Sequence, residues 1–351
     1  MSSIKRLALM ALLALVVTVA AGAWLSGYLH RPLVMDDDVL VDVPRGASLS
    51  GVLVRLEQDG RLGAPREAAL RRASVRLYDL FSGVSQQMHV GEYRLAPGDT
   101  LMTLLEKLEN GAVLQRAFTL VEGWNFRELR AALAQVQGLA HSTSELNDAA
   151  IMKRVGSPGV HPEGQFAPDT YFFTRGDEDL ALLKRAHERQ KALLESAWED
   201  RAPGLPYDNP YQALVMASIV EKETGAAHER AEIAGVFVSR LRKGMRLQTD
   251  PTVIYGLGEA YDGNLRRADL RRETAYNTYV IRGLPPTPIA MPGADAIQAA
   301  LNPAATEALY FVARGDGTHK FSRTLEEHEQ AVRDYQLRRR ENYRSAPEQS
   351  R

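Results

Sequence analysis

The sequence has no cysteine among its 351 residues. This absence excludes disulfide bonds, thiol nucleophiles, thiolate metal sites and a lipid-modified cysteine anchor. There is also no surplus of charge of either sign, because 43 basic residues face 44 acidic ones. A balanced chain gives no general electrostatic reason to bind nucleic acid, so we predict no nucleic-acid partner. A chain with 45% hydrophobic and 25% charged residues is globular and long enough for two domains.

Several motifs of cofactor and metal chemistry are missing as well. The sequence contains no Walker A, G-x-G-x-x-G or G-x-S-x-G pattern, and His228 lacks the second histidine of H-E-x-x-H. His319 and His328 are too far apart in sequence to share one helical face. We therefore predict no cofactor and no bound metal.

One long apolar run is present near the N-terminus. Residues 7–29 contain no charged side chain and would form a helix about 34 Å long, enough to cross a bilayer. Lys5 and Arg6 precede the run and the acidic residues 36–38 follow it, so the positive-inside rule places the N-terminus in the cytoplasm. The alternative is a signal peptide cleaved at the A-x-A site, residues 21–23. Because the apolar run continues past that site, we favour an uncleaved single-pass anchor in the inner membrane, with the rest of the chain exported to the periplasm.

The first exported section contains a weak internal repeat. The segment VPRGASLSGVLVRLE matches LAPGDTLMTLLEKLE at one constant offset, and both contain G-x-[S/T]-L. Each copy predicts a turn, an N-cap at Ser48 or Thr100, and a short helix with an apolar stripe. The second copy follows a strand predicted at Gly91 to Leu95. This strand–turn–helix unit resembles half of a LysM module, a small fold that binds glycans containing N-acetylglucosamine; a packing unit without a ligand is the alternative.

Beyond this section, helices alternate with loops. Helical stretches are predicted over about 125–200, interrupted by HPEGQFAPDTYFFT, which indicates an ordered loop with a strand. Asn209 and Pro210 predict the start of a helix over about 209–224, and Gly244 ends the helix after it. The stretch over about 245–325 has a β-rich pattern in three segments, LQTDPTVIYGLG, YNTYVIRGLPP and ALYFVARGDGTHKFSRT, the last with a hairpin turn at RGDG.

These patterns together predict an α+β protein. We assign residues 1–30 to a cytoplasmic stub and transmembrane anchor, 31–115 to the LysM-like module and 116–340 to a mixed catalytic domain. The remaining residues, 341–351, form a polar tail that is expected to fray.

The segment ASIVEKET, residues 217–224, places charged residues at the end of an apolar helix. Glu221 continues the helical face that carries Ser218, whereas Glu223 points roughly the opposite way, so the two carboxylates do not form a pair. A desolvated carboxyl at the negative end of a helix dipole should have a raised pKa, as a general acid at neutral pH requires. A solvated helix end is the structural alternative.

Three further segments are dense in uncharged hydrogen-bonding side chains and in glycine and proline, as sugar-binding loops are: LQTDPTVIYGLG, AYNTYVIRGLPPTPIAMPG and HKFSRTLEEH. Together with ASIVEKET and EGQFAPDTYFF, they closely resemble the YceG-like family, from the anchor to about Tyr335. The resemblance implies a lytic transglycosylase in which Glu221 is the catalytic residue. It implies that Glu221 protonates the β-1,4 glycosidic oxygen between N-acetylmuramic acid and N-acetylglucosamine, then accepts a proton from the muramyl 6-hydroxyl, leaving a 1,6-anhydro end.

The same resemblance implies action on nascent peptidoglycan strands near the inner membrane and association with peptidoglycan synthases, the penicillin-binding proteins. From the segments of this chain that resemble the family, we select six candidate substrate-binding residues, each with a role in a turn or cap as the alternative: Glu163, Ser218, Gln248, Asp250, Asn277 and Tyr279. Two other functions stay open. One is a hydrolytic muramidase with Glu163 or Asp250 as a second carboxylate; the other is a non-catalytic glycan-binding scaffold in which Glu221 is structural.

Overall fold

The computed structural model describes residues 3–337, and the chain divides into two compact units. The first unit consists of the residues up to Arg116 together with Phe172–Asp177, and the second consists of Ala117–Tyr171 and the residues from Glu178 onward. The boundary predicted near residue 115 did not include the return of Phe172–Asp177 to the first unit. The polar tail predicted at 341–351 lies outside the described residues.

The first unit is mostly helical and contains one two-stranded sheet. Its helices are α1 (Ser3–Leu29), α2 (Leu49–Gln58), α3 (Pro65–Ser82), α4 (Val84–Gln87) and α5 (Leu101–Glu109), and its strands are β1 (Val39–Val43) and β2 (Gly91–Leu95). The two strands pair antiparallel, with Val39 opposite Leu95 and Val43 opposite Gly91. Buried leucines of α2 and α5 join the buried residues of both strands in one apolar core.

Both helices of the predicted repeat are present, with the predicted N-caps. Ser48 Oγ accepts a hydrogen bond from the Gly51 N–H at 3.2 Å, and Thr100 Oγ1 accepts one from the Thr103 N–H at 3.1 Å. These bonds satisfy amide groups that have no partner inside the first turn of a helix. The strand predicted at Gly91 to Leu95 is confirmed over the same residues. The likeness to a LysM module stays a prediction.

Helix α1 contains the apolar run seen in the sequence. Its segment Leu9–Leu29 has a mean hydropathy of 2.2 and is long enough to cross a membrane. Most of its described side chains are exposed, whereas Tyr28 and Leu29 at its end are buried. An exposed apolar helix of this length is compatible with a single-pass membrane anchor.

The second unit is built around a buried helix. Its helices are α6 (Phe126–Leu133), α7 (Asp148–Val155), α8 (Asp179–Glu199), α9 (Pro210–Glu223), α10 (Arg230–Arg242), α11 (Asp250–Leu257), α12 (Ala294–Leu301) and α13 (Leu325–Val332). The strand β3 (Arg116–Leu120) pairs with β4 (Asp169–Phe173), and β5 (Tyr310–Ala313) pairs with β6 (His319–Ser322). All of these strand residues belong to the second unit except Arg116, Phe172 and Phe173. Helix α9 packs against α8, α10, α11 and α12. The helices predicted over about 125–200 and 209–224 are confirmed, as is the strand inside the first of these ranges.

The β-rich pattern predicted for about 245–325 is wrong in its first two segments. LQTDPTVIYGLG forms the helix α11, and YNTYVIRGLPP contains no strand. Pro251 lies in the first turn of α11, where backbone N–H groups have no acceptor within the helix, so its lack of an N–H costs no hydrogen bond. The next two residues, Thr252 and Val253, are buried. Burial thus overrides the strand preference of these β-branched residues. The third segment forms the predicted hairpin of β5 and β6.

Candidate active site

Helix α9 carries the ASIVEKET segment at its C-terminal end. Asn209 Oδ1 caps the helix by accepting the Gln212 N–H at 3.1 Å, and Pro210 occupies the first helical position. All residues from Ala213 to Val220 are buried, which makes α9 the core helix that the sequence predicts. Packing on every side of α9 fixes the direction in which each side chain of its last turn points.

Glu221 is held in a nearly closed environment. Its side chain is 6% exposed, its Oε2 accepts the Gly293 N–H at 3.0 Å, and its Oε1 lies 3.7 Å from Arg230 Nη2. Desolvation is the largest influence on Glu221 and raises its pKa, and the negative charge of Glu122 raises it further. The hydrogen bond from Gly293 and the positive charge of Arg230 lower the pKa and so offset part of this increase. The raised pKa predicted for this carboxyl is confirmed in direction, and its main cause is burial.

Ser218 lies one turn before Glu221 on the same face of α9. Its hydroxyl donates to the Val215 carbonyl at 2.7 Å and accepts the Ile289 N–H at 3.0 Å. Ser218 is 0% exposed, so it does not contact substrate as the sequence prediction suggested. Its role is structural: Ser218 binds the segment 289–293 at one end and Glu221 binds it at the other.

Glu223 lies on a different side of α9, as the helical geometry predicts. Its Oε1 accepts a hydrogen bond from Thr249 Oγ1. Desolvation raises the pKa of Glu223 to about 7; the Thr249 bond opposes the increase, and the charge of Asp250 adds to it. The two glutamates therefore have separate partners, and each carboxyl is desolvated.

Three of the predicted substrate-binding residues gather near Glu223 rather than Glu221. Tyr279 donates its hydroxyl to Asp250 Oδ1 at 2.6 Å, and the Gln248 N–H donates to the Thr278 carbonyl at 3.1 Å. Gln248 has a φ of 51°, the left-handed region that non-glycine residues rarely adopt, and it is exposed. Gln248 and Asp250 are both exposed and so are available to a ligand.

Asn277 is the second correction among the candidate residues. It is fully buried, and its Nδ2 donates to the carbonyls of Asp269 at 3.1 Å and Arg272 at 2.7 Å. Its Oδ1 accepts the Tyr279 N–H at 3.0 Å. Because both N–H groups of its side-chain amide and its oxygen are bonded to backbone groups, and the residue is fully buried, Asn277 shapes the loop that presents Tyr279 and does not face a ligand.

Glu163 borders the main cleft of the second unit. It is 3% exposed; its carboxylate accepts the Phe126 N–H, at 3.0 and 3.2 Å from its two oxygens, and the Tyr255 hydroxyl at 2.9 Å. Desolvation raises the pKa of Glu163 to about 7, and these hydrogen bonds oppose the increase. Glu163 is thus a carboxyl that changes charge near neutral pH while two protein donors hold it in place.

The cleft has a volume of about 1440 Å³ and lies between α6, α11 and the loops around them. It combines carboxyl, imidazole and phenol groups with apolar residues, a combination typical of ligand-binding clefts. Its lining includes Glu163, Tyr255 and Tyr276. Glu221 is not part of the lining, but its neighbour Lys222 is, and so is Gly123, whose position lies against the Glu221 side chain.

Sequence reasoning missed several residues of this region. Gly293, a partner of Glu221, lies 72 residues from it in sequence, and Tyr255, the partner of Glu163, lies 92 residues away. Arg230, the other partner of Glu221, is close in sequence but belongs to the next α-helix, α10. Gly293 ends the segment AYNTYVIRGLPPTPIAMPG and Tyr255 lies in LQTDPTVIYGLG, but no local pattern distinguishes them. Among residues 3–337, no group of three or more His, Asp or Glu side chains could hold a metal ion.

The structure thus defines an α+β protein with a large cleft of mixed polar and apolar lining next to a core helix that ends in desolvated carboxyls. A family model described as the YceG-like family matches residues 41–334, and the chain belongs to that family.

Named relatives agree with this assignment. The chain is 30% identical over 337 residues to an endolytic murein transglycosylase of Bacillus subtilis, covering 90% of this chain and 91% of that protein. It is 24% identical over 334 residues to an endolytic murein transglycosylase of Streptococcus pneumoniae, covering 85% of this chain and 58% of the longer relative. A crystal structure of a YceG-like protein from Listeria monocytogenes is similar to it, with a TM-score of 0.50 and 28% identity, covering 84% of this chain and 99% of that one.

Proposed function

We propose that this protein is an endolytic lytic transglycosylase that cleaves the β-1,4 bond between N-acetylmuramic acid and N-acetylglucosamine in nascent peptidoglycan. The named relatives support the general activity. The observation that carries the assignment within the chain is the Glu221 carboxyl, which is buried, has a raised pKa and is bonded to one backbone amide. This is also the residue that the family resemblance marks as catalytic.

The proposed reaction needs one carboxyl in two protonation states. Glu221 first gives its proton to the glycosidic oxygen while the bond from that oxygen to C1 of the muramyl residue breaks. The resulting carboxylate then takes the proton of the muramyl 6-hydroxyl, whose oxygen bonds to C1 and closes the 1,6-anhydro ring. The proton returns to Glu221, so no water is consumed and no second carboxylate is needed as nucleophile.

The surroundings of Glu221 suit both halves of this cycle. Burial keeps the carboxyl protonated at higher pH than an exposed glutamate, which provides the acid. Once the proton has left, the Gly293 N–H and the nearby Arg230 stabilise the carboxylate. A carboxyl that is only desolvated would retain its proton at neutral pH but would donate it poorly, because nothing would stabilise the resulting carboxylate.

We propose that the cleft and its neighbouring loops bind the glycan strand. Glu163 is the candidate on the lining itself, and Tyr255, which it positions, presents an aromatic ring there. Gln248, Asp250 and Tyr279 form a second polar group, and the first two are exposed. Sugars bind to such surfaces through hydroxyl hydrogen bonds and through the flat faces of aromatic rings.

We propose that α1 anchors the protein in the inner membrane as a single pass, with its N-terminus in the cytoplasm and the rest of the chain in the periplasm. The exposed apolar segment Leu9–Leu29 supports an anchor. The protein should then stay with membranes through salt and carbonate washing, and protease should reach its C-terminus from the periplasmic side. A soluble mature form that begins near Trp24 would instead indicate signal cleavage.

We also propose that the first unit binds glycan in the manner of a LysM module and that the protein associates with peptidoglycan synthases. For the first proposal, the support is the pairing of β1 with β2 and the two capped helices of the repeat. Deleting residues 31–115 should weaken binding to polymeric peptidoglycan and leave the second unit folded. Unchanged binding would reduce this section to a spacer.

Mass spectrometry of digested peptidoglycan tests the proposed reaction against its rivals. Anhydro ends support the lytic transglycosylase, reducing ends support a hydrolytic muramidase, and the absence of products supports a non-catalytic scaffold. The muramidase has one observation in its favour: Glu163, with a pKa of about 7, lies on the cleft lining and offers a second carboxyl. Its position against two hydrogen-bond donors argues for binding rather than for nucleophilic attack.

A further inference from the structure

Helix α3 ends in the two most exposed large apolar side chains of the described residues. Leu80 is 77% exposed and Phe81 is 82% exposed, and both are more exposed than every described large apolar residue of helix α1. Single exposed apolar residues are common on protein surfaces, but an adjacent leucine and phenylalanine at the end of a helix form a patch that water covers poorly. We call Leu80 and Phe81 the α3 tip.

The direction of α3 follows from the contacts near its start. Glu67 pairs with Arg31 at 3.7 Å, and Arg71 Nη2 donates to the Pro32 carbonyl at 3.0 Å. Arg31 and Pro32 come just after α1, which ends at Leu29. In α3 only two residues precede Glu67, whereas eleven follow Arg71. Helix α3 is also the element that packs most extensively on α1. These contacts place the start of α3 beside the end of α1, and the extent of the packing indicates that the rest of α3 runs back along α1.

The exposure of α1 agrees with this direction. Leu25, Tyr28 and Leu29 share one face of α1 and are partly or fully covered, whereas the described apolar side chains that precede them are exposed. Phe81 comes ten residues after Arg71, a distance of about 15 Å along a helix. The α3 tip therefore lies beside the final turns of the apolar segment Leu9–Leu29.

We propose that the α3 tip inserts into the interface of the bilayer that α1 spans. This inference rests on the proposed anchor, because α1 determines where the bilayer lies. Phenylalanine and leucine partition into the boundary between headgroups and acyl chains. Arg76, one turn before Leu80, is exposed, and its long side chain can reach lipid phosphates from there. A single helix would leave the first unit free to turn about the α1 axis; a second contact with lipid fixes its orientation.

The absence of cysteine makes this proposal directly testable. Each variant carries one introduced cysteine, labelled with an environment-sensitive fluorophore, in the full-length chain reconstituted into vesicles of phosphatidylethanolamine and phosphatidylglycerol. Phe81→Cys and Leu80→Cys report on the tip. Leu13→Cys, exposed on α1, reports on the anchor, and Val54→Cys, exposed on α2 of the same unit, is the matched control.

Nitroxide-labelled lipids then quench each fluorophore according to its depth. We expect the emission of labels at the tip to shift to the blue and to be quenched by nitroxides near the headgroups. The label at Leu13→Cys should be quenched by nitroxides deep in the acyl chains. The label at Val54→Cys should not be quenched by either. If Leu13→Cys is quenched and the tip behaves like Val54→Cys, the tip proposal is overturned and the anchor stands. If Leu13→Cys is not quenched, the anchor fails and the tip proposal fails with it.

Discussion

The two sides of the last turn of α9 each carry a glutamate whose pKa is raised by burial, yet the two sites differ in what they offer an ionised carboxyl. Glu221 receives a backbone N–H from Gly293 and lies near Arg230, although the charge of Glu122 opposes its ionisation. Glu223 receives one hydroxyl, from Thr249; the charge of Asp250 opposes its ionisation, and the charge of Arg240, with which it forms no ion pair, favours it. A raised pKa alone therefore does not identify a general acid. The acid must also be able to carry charge after it has given up its proton, and the Glu221 side is built for that.

The largest effect we predict is the loss of peptidoglycan cleavage in Glu221→Gln. Glutamine keeps the size and hydrogen-bonding capacity of the side chain, but its amide cannot deliver a proton to the leaving oxygen. The rate of release of anhydro-muramyl products should fall by about 10²–10⁴-fold, the usual contribution of a positioned acid or base. Glycan binding and the circular dichroism spectrum should not change.

Glu223→Gln is the matched control, because it makes the same chemical change on the same turn. Its oxygen can still accept the Thr249 hydroxyl, so much of the activity should remain. The assignment of Glu221 as the general acid is wrong if only the Glu223 variant is inactive, or if Glu221→Gln makes products at nearly the wild-type rate.

The next prediction concerns stability, where the same Glu223 substitution should have a clear effect. Its pKa rises from 4.5 to about 7 on folding, so the folded state holds the proton more tightly. The stability linked to this group is fully present below pH 4.5 and is lost as pH rises towards 7. Glu223→Gln removes that loss, and the stability of the variant relative to wild type should increase through this window by on the order of 3 kcal/mol. Unfolding by denaturant at pH 4.5 and pH 8 measures it.

Glu67 of the first unit gives the opposite sign. The hydrogen bond from Arg71 lowers the pKa of Glu67, so its contribution is present above the unfolded value of 4.5 and is lost as pH falls. Glu67→Gln should therefore lose stability relative to wild type at pH 8 and approach it at low pH. An advantage of Glu223→Gln that is the same at both pH values would show that the Glu223 site does not titrate as described.

Local patterns in the sequence predict the helices of the second unit as far as α10 and the direction of Glu221 well, but they miss α11 and α12, and the reason is physical. Helix caps such as Asn209 and apolar runs such as the one before Glu221 act over a few residues, and both are visible in the sequence. The partners of Glu221 are not, because Gly293 and Arg230 reach it through the packing of α12 and α10 on α9. The same limit explains why Asn277 was mistaken for a ligand contact: only the folded loop shows which backbone groups its amide satisfies.

A smaller effect is expected from Ser218→Ala, which acts on the Glu221 site indirectly. The substitution leaves the buried Ile289 N–H without its acceptor, at a cost of roughly 1–3 kcal/mol in the free energy of unfolding. It should also loosen the segment that delivers the Gly293 N–H to Glu221, and so lower kcat more than it raises KM. Urea unfolding and steady-state kinetics measure the two effects.

Ser74→Ala provides the control for that change. Ser74 is equally small and buried, but its hydroxyl donates to the Leu70 carbonyl inside α3. Removing this hydroxyl therefore leaves no N–H group without an acceptor. It should cost little stability and leave kinetics unchanged. Equal costs for both variants would mean that Ser218 contributes only its volume.

The smallest predicted effect tests whether Glu221 is the group that titrates in the reaction. An acid must be protonated in the free enzyme, so kcat/KM should fall as pH rises through the pKa of Glu221. The charge of Glu122 raises this pKa and that of Lys222 lowers it, and both side chains are exposed enough to change without unfolding the protein. Glu122→Gln should therefore move the alkaline limb of the profile to lower pH, and Lys222→Gln should move it to higher pH. Each shift should be a few tenths of a pH unit, since exposed charge pairs contribute about 0.2–1 kcal/mol.

Salt should shrink both shifts, because mobile ions screen exposed charges over about 10 Å at 0.1 M. Shifts in the same direction, or none at low salt, would assign the limb to another group, and Glu163, with its pKa of about 7, would be the first to test.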